Sequence, residues 1–248
     1  MTRENGFPRL KSIGLNGVLV QFADHFDDAQ NRAALAFGAA LKETGWTELE
    51  EVVSTLASTY IRFDLSLTSH EAIENALIEL LNTQDWTKAP LPSGRRRFTI
   101  PCVFGGDAGP QFDEAAEVAG LSPKKAIEEI TQSTPRVIAI GFAPGQPYMG
   151  ELPKHWDIPR LTELSKNVPQ GALVCAIRQL IIFSAPSPTG WRHIGTTAFR
   201  CFRPEQNASF AFKPGDEVTF TSITASELRE IEQTDKSGNG GAEIEVIS

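Results

Sequence analysis

Cysteine, histidine and long apolar runs are scarce in this 248-residue chain, and each shortage removes a class of function. The three cysteines, Cys102, Cys175 and Cys201, are odd in number, widely spaced and without a C-x-x-C pair. Reduced core thiols are therefore expected, and neither a disulfide framework nor a zinc site is. The four histidines, His25, His70, His155 and His193, fall in separate segments, none within a recognisable nucleophile or metal motif. His155, two residues after a Gly/Pro-rich loop, is the best placed, as a proton carrier near neutral pH or simply as a polar loop residue. No stretch approaches the roughly 20 apolar residues that cross a bilayer. The opening MTRENGFPRLKSIG has no apolar secretory core, so a cytoplasmic protein is expected. A formal charge of −8 argues against a nucleic-acid or anionic-membrane surface. The basic cluster Arg95-Arg96-Arg97 is expected to be a solvated face at a domain junction. No G-x-x-x-x-G-K-[ST] occurs, so a P-loop is excluded.

What the chain does have is 41% apolar and 22% charged residues, enough for one large domain or two small ones. Residues 10–22 read as a first strand and turn. Asp27-Asp28 cap a helix from Ala29 to Glu43, ended by Thr44-Gly45, and Ser69 caps a second helix, Glu71 to Leu81. Two strands, around Val52-Val53 and Tyr60 to Phe63, lie between them. This β-α-β-β-α order predicts a small α+β domain over residues 1–93, with helices on one face of an antiparallel sheet. Residues 83–97 read as the linker. Beyond it come a strand from Phe98 to Phe104, helices over 112–119 and 123–130, and short strands at 137–140, 172–177, 180–184, 198–202 and 217–221. Such punctuation favours a mainly-β barrel or sandwich over residues 94–235. Residues 236–248 read as a mobile tail whose EIEVI segment is able to add as an edge strand to a partner.

The densest signal is Gly141 to Pro153, GFAPGQPYMGELP. It packs three glycines and three prolines into thirteen residues, with Phe142, Tyr148, Met149 and Leu152 between them. Glycine and proline bar a helix interior or central strand, while the apolar side chains bar a solvated linker. Two readings stay open: a packed connection without chemistry, or a rigid loop whose backbone N–H groups face a ligand or partner. Gly105-Gly106-Asp107-Ala108-Gly109-Pro110, between a strand and a helix, is likewise either a structural turn or a phosphate cradle.

GFAPGQPYMGELP resembles the signature G-F-x-P-G-F-x-Y-L-x-x-L-P of the family that holds the PxpB component of bacterial 5-oxoprolinase, the kinase inhibitor KipI and the first subunit of allophanate hydrolase. IPCVFGGDAGP at 100–110, Pro159-Arg160, Val168 to Gly171, Pro188 to Trp191 and Lys213 to Asp216 also fall at the family's positions. The chain is thereby identified as a divergent member over roughly 98–220. The resemblance implies a cyclophilin-like β-barrel in the second domain. It also implies a role as subunit of an ATP-dependent 5-oxoprolinase or an allophanate hydrolase/urea carboxylase-like complex acting on a small cyclic amide or urea-type substrate. It further implies a PxpC/KipA-like partner, a PxpA-like third subunit for oxoprolinase, and ATP shared with or bound by another subunit, with no metal site evident. A KipI-like inhibitor of a histidine kinase, non-catalytic, is the alternative.

Carboxyl transfer needs no protein nucleophile, only a dry pocket with oriented donors and a cation. The candidate substrate-binding residues are therefore Gly141, Phe142, Pro144, Gly145, Tyr148, Arg160, Gln179 and Trp191, with no catalytic residue assigned. The loop is expected to fold over a barrel cavity and lend it main-chain donors. The departures are local. Ala176 to Ser184 replaces the family's G-G-x-Q-T-G-x-Y-P, keeping only Gln179, so Ile177 and Ile181 are expected to forbid positive φ there. Arg178 is a new cation, and Gln146 stands at the signature's second Phe.

Overall fold

The computed structural model describes residues 6–247. The chain divides into two compact units, one running to Ser93 and the other spanning Gly94–Ile247. The first contains β1 (Arg9–Ile13), β2 (Gly17–Gln21), α1 (Asp28–Glu43), β3 (Leu49–Thr55), β4 (Ser58–Phe63) and α2 (His70–Leu81). Its sheet is antiparallel in the order β1-β2-β4-β3. Strand alternation turns Val18, Val20, Ile61 and Phe63 to one face, where Phe37 and Leu41 of α1 and Ile73 and Leu77 of α2 complete a single core. Both helix starts follow from their caps: the Asp27 carboxylate accepts from the Ala29 and Gln30 N–H groups, and the Ser69 hydroxyl from the Ala72 N–H. The expected first strand over 10–22 is a hairpin instead, turned at Gly14 with φ +65°. β1 is largely exposed and shows no apolar alternation.

The second unit runs β5 (Arg95–Phe104), α3 (Phe112–Val118), α4 (Pro123–Gln132), β6 (Arg136–Ile140), β7 (Pro147–Gly150), β8 (Ser165–Val168), β9 (Ala172–Ala176), β10 (Gln179–Ile182), β11 (Ser187–Thr189), β12 (Arg192–Thr196), β13 (Glu217–Ser222), α5 (Ala225–Thr234) and β14 (Glu243–Ile247). Strands pair in the order β12-β9-β10-β7-β6-β13-β5, and β5 returns to β12, which closes a barrel rather than a sandwich. β5 and β13 run parallel, while the other barrel pairings are antiparallel. Every barrel strand sends side chains inward, among them Ile100, Val137, Met149, Leu173, Leu180, Ile194 and Phe220, and α3 and α4 add Phe112 and Ile130 to the same core. β8 and β11 form a separate two-stranded pair.

Four expectations are corrected. The segment 83–97 is not a bare linker: Trp86 is buried in the first unit's core, and β5 already begins at Arg95. Arg95-Arg96-Arg97 is not a solvated face. Parallel pairing sets Glu217 opposite Arg97, so Arg95 and Arg97 both bond Glu217 at 2.8 Å, and Arg96 meets the fully buried Asp216 at 2.5 Å. The tail is folded as far as Ile247. β14 adds antiparallel to the first half of β5, before β12 takes the same edge, and Glu245 pairs with Arg97 at 3.1 Å. The strand expected at 198–202 shows only a bridge, Phe202 to Phe210, because Phe199 and Cys201 anchor an extended segment in the core. Among the described residues no helix is long and apolar enough to cross a membrane.

Candidate functional site

The loop joining β6 to β7 closes on itself: the Gly141 N–H donates to the Gln146 carbonyl and the Gln146 N–H to the Ala143 carbonyl, both at 3.1 Å. Those two donors, expected to face a ligand, are spent inside the loop. Gly145 adopts φ +70°, and a Cβ there would lie 2.7 Å from the Cys201 carbonyl oxygen, so glycine is required by close approach as well as by backbone angle. Phe142 also has φ +70° and is 75% exposed, held out beside a hollow of about 260 Å³.

Phe142, Tyr148, Arg160 and Trp191, four of the expected residues, line this hollow together. Trp191 is fixed by the Thr189 hydroxyl, which accepts its backbone N–H at 3.0 Å, and by the edge of Tyr148, ring centroids 6.1 Å apart. The Arg160 guanidinium lies 5.5 Å from the Trp191 ring centroid and, among the described residues, has no carboxylate in ion-pair range. Ile181, Phe183, Leu161 and Leu164 supply apolar wall, and Gln146 supplies an amide. These were not anticipated as lining residues. The usable signal was period two along β10, which puts Ile181 on the face opposite Leu180.

The hollow lies against the barrel's outer wall and not inside it, because Ile181, Phe183, Trp191 and Tyr148 belong to a cluster separate from the filled interior. Gly141, Pro144 and Gly145 shape the loop without lining the hollow. Gln179 does not line it either: it opens β10, paired with Gly150 and Ala176.

The β9–β10 turn overturns the expectation about positive φ. Ile177 and Arg178 sit at φ 45° and 60°, because a two-residue hairpin between Ala176 and Gln179 needs left-handed backbone at both central positions. Neighbouring carbonyls hold it there: Ile177 N–H donates to Ile158 at 2.8 Å and Arg178 N–H to Trp156 at 2.9 Å. The Arg178 side chain is committed too, to the Leu152 carbonyl at 2.9 Å and Glu151 at 3.0 Å, so it brings no cation to the hollow.

The other candidate groups are structural. In the Gly105–Pro110 turn, the Gly105 N–H donates to Ile194 O and the Gly109 N–H to Gly105 O, and a Cβ on Gly109 would sit 2.2 Å from Ile194 O. That turn packs on β12, and these two N–H groups are already used by carbonyls. His155 meets Glu129 at 2.6 Å, away from the hollow, and the same carboxylate oxygen accepts the Trp156 indole N–H at 2.8 Å. Burial raises the Glu129 pKa, but the hydrogen bonds from His155 and Trp156 more than reverse it, leaving it lowered. Burial pushes all three free thiols up, Cys175 to about 12, so none is a nucleophile near neutral pH. His193 is buried, which lowers its pKa, and its Nε2 lies 3.0 Å from the Gly195 carbonyl. Among the described residues no cluster of three or more potential ligands could hold a metal ion.

The family described as "Carboxyltransferase domain, subdomain C and D" matches residues 8–212. The chain is 26% identical over 223 residues to the 5-oxoprolinase B component (PxpB) of Bacillus subtilis (strain 168), covering 87% of this chain and 93% of that one. It is 34% identical over 136 residues to the protein of the same name from Escherichia coli O157:H7, covering 54% of this chain and 62% of that one. The Kluyveromyces lactis urea carboxylase structure superposes with a TM-score of 0.70 at 16% identity, over 95% of this chain and 23% of that protein, a likeness of fold alone. The family match runs through the first unit and on past the loop, Arg160 and Trp191, and so the chain belongs to the carboxyltransferase family of subdomains C and D.

Proposed function

We propose that the chain is one subunit of an ATP-dependent complex of the 5-oxoprolinase or urea carboxylase kind, and that the hollow beside the 141–146 loop binds a small cyclic amide or urea-type acid. The observation that carries this reading is Arg160, a cation without an ion-pair partner among the described residues, parked on Trp191 at a largely apolar hollow. A guanidinium resting on an aromatic face keeps its N–H fork free for bidentate capture of a carboxylate. Phe142, Tyr148 and Trp191 would enclose the body of the substrate and exclude water from it.

The residues present do not fit a nucleotide. The chain has no P-loop, and the N–H groups of Gly105 and Gly109 are taken by carbonyls. We therefore assign ATP to a PxpC/KipA-like partner, with a PxpA-like third subunit in an oxoprolinase assembly, and route no step of this chain's chemistry through it. A second reading, a KipI-like regulatory protein, is favoured by one observation: the altered β9–β10 turn offers the hollow no side chain.

Co-expression with the partner subunit and assay of ATP-dependent 5-oxoproline consumption tests the proposal. Arg160→Ala is expected to lower kcat/KM by tenfold or more, from loss of a charge-assisted hydrogen bond of about 1.5–3 kcal/mol. An intact but inactive complex would favour the regulatory reading. Activity indifferent to Arg160 would remove the hollow from the reaction.

A further inference from the structure

A bare strand edge is a row of unpaired N–H and C=O groups, and folded chains blunt such edges with brevity, proline or charge. Among the described residues β1, β3, β8, β11 and β14 each keep one edge unpaired. β8 and β11 are only four and three residues long, and β11 holds Pro188. β3 is acidic, with Glu50 and Glu51 tied to Arg62. That leaves β14 and β1, equal in length at five residues and opposite in charge: Glu243 and Glu245 on one, Arg9 and Lys11 on the other. Both are largely exposed. Val246 of β14 is 76% exposed and Ile244 44%, on a strand whose backbone has room for one more neighbour.

Pairing fixes which side chains share a face. On β14, Ile244 lies opposite Phe98 of the barrel core, so Ile244 and Val246 take the inward side and Glu243, Glu245 and Ile247 the outward one. On β1, Leu10 and Ser12 lie opposite Val20 and Val18 of the first unit's core, which leaves Arg9, Lys11 and Ile13 on the other face. Laid side by side and parallel, the two strands bring Arg9 to Glu243, Lys11 to Glu245, Leu10 to Ile244 and Ile13 to Ile247, with Ser12 beside Val246. The antiparallel alignment keeps two ion pairs but sets Pro8, which has no N–H, against Val246. Lys11 and Glu243 have no ion-pair partner among the described residues. Glu245 shares Arg97 at 3.1 Å, and Arg9 bonds the Gly6 carbonyl at 2.9 Å and lies over Phe7. A second β14 in this place would set glutamate against glutamate.

We infer that the chain associates with a second copy of itself by strand addition, β14 of one protomer pairing alongside β1 of the other, so that the barrel wall continues into the neighbour's antiparallel sheet. Main-chain hydrogen bonds supply the attraction, and the charges choose the partner edge. The contact is head-to-tail, since each copy carries one acidic and one basic edge. Two copies that exchange both edges close a dimer, and one exchange per copy extends a chain. The inference is independent of the hollow and of the reaction proposed above.

The test is sedimentation velocity of the full chain across micromolar concentrations, where self-association is expected and the mass distinguishes a dimer from a chain. Glu243→Lys with Glu245→Lys makes both edges basic, and Arg9→Glu with Lys11→Glu makes both acidic. Each double variant should self-associate at least about tenfold more weakly than the parent. Mixed in equal amounts, the two should associate again, because every acidic edge then finds a basic one, and that recovery also shows that both fold. Lys11→Glu alone, at an exposed side chain without an ion pair, should weaken association and leave Tm unchanged. A parent chain that stays monomeric overturns the inference. So does association that survives both double variants, which places the contact elsewhere, or a pair of variants with unchanged Tm that do not recover each other. If the parent is monomeric and Glu243→Lys with Glu245→Lys abolishes co-purification with a co-expressed partner subunit, the β14 edge belongs to that subunit and the inference falls.

Discussion

The wall made by β9, β10 and β12 is buried on both faces, yet the two faces do different work. Inward, Leu173, Cys175, Leu180, Ile182 and Ile194 join a core drawn from all seven barrel strands, and the space is filled. Outward, Val174, Ile181, Phe183 and Trp191 are just as apolar, but they are covered by a loop and one exposed phenylalanine, and a hollow remains. Burial of a residue therefore says little about its purpose. A filled face resists change because each methylene has partners, whereas a face beside a gap loses fewer contacts when a side chain is shortened.

Paired truncations would break this contrast most directly. Leu180→Ala, on the inward face, should cost about 3 kcal/mol of unfolding free energy by leaving a cavity that cannot collapse. Ile181→Ala, one residue on and facing out, merges with space already open to solvent and should cost about half as much, near the transfer term alone. Denaturant unfolding of both measures the difference, and equal losses would mean that the two faces are packed alike.

A titration sharpens it. The inward face carries only thiols held far above neutrality by burial. His193, paired across from Val174 on β12, points to the outward side and is buried enough to resist protonation. The unfolded chain takes up the proton that the folded chain refuses, so stability is full above the ordinary histidine value of 6.5 and declines as pH falls below it. Glu129 and Glu217 have folded values below 4.5, so their contributions are lost only in that lower range. Tm measured from pH 8 to 5.5 should fall toward the acid end, and His193→Gln should flatten the curve.

The smallest expected effect has the opposite sign. Ile177→Gly relieves left-handed backbone, about 1–2 kcal/mol for a residue with a Cβ, against a glycine entropy cost of about 0.5–1 kcal/mol. A net gain of about 0.5–1 kcal/mol is expected by chemical denaturation. A loss would show that the outward Ile177 side chain packs more usefully than its exposure suggests.

How much of this was legible varied with the kind of signal. Caps at Asp27 and Ser69 are local, and the helices begin where those side chains can accept the first N–H groups. α5 went unread although Thr224-x-x-Glu227 is a complete capping box, because Leu228 is its single buried residue and the apolar period was missing. β12 was hidden in Arg192-His193-Ile194-Gly195, a polar, glycine-bearing run whose strand character comes from long-range pairing with β9 and β5. At the hollow, the aromatic loop and Arg160 could be picked out by residue type. Gln179 could not be excluded that way, since its distance from the others depends on the register of β10 against β7. Nor could the strain at Ile177 be foreseen, because turn length, set by the pairing of Ala176 with Gln179, overrode side-chain preference.

The one parallel pair among the described residues carries a consequence for biosynthesis. β5 and β13 are partners whose contacting residues lie 120 positions apart, as Thr99 and Thr219 do. The barrel's opening strand thus emerges from the ribosome long before its neighbour exists. At translation speeds of about 5–20 residues per second it waits roughly 6–24 s. The unit ending at Ser93 is assembled from adjacent hairpins and needs no such delay. The nascent chain passes through a stage with one finished domain and one unclosed cylinder, whose bare strand edges stay unpaired until β13 emerges.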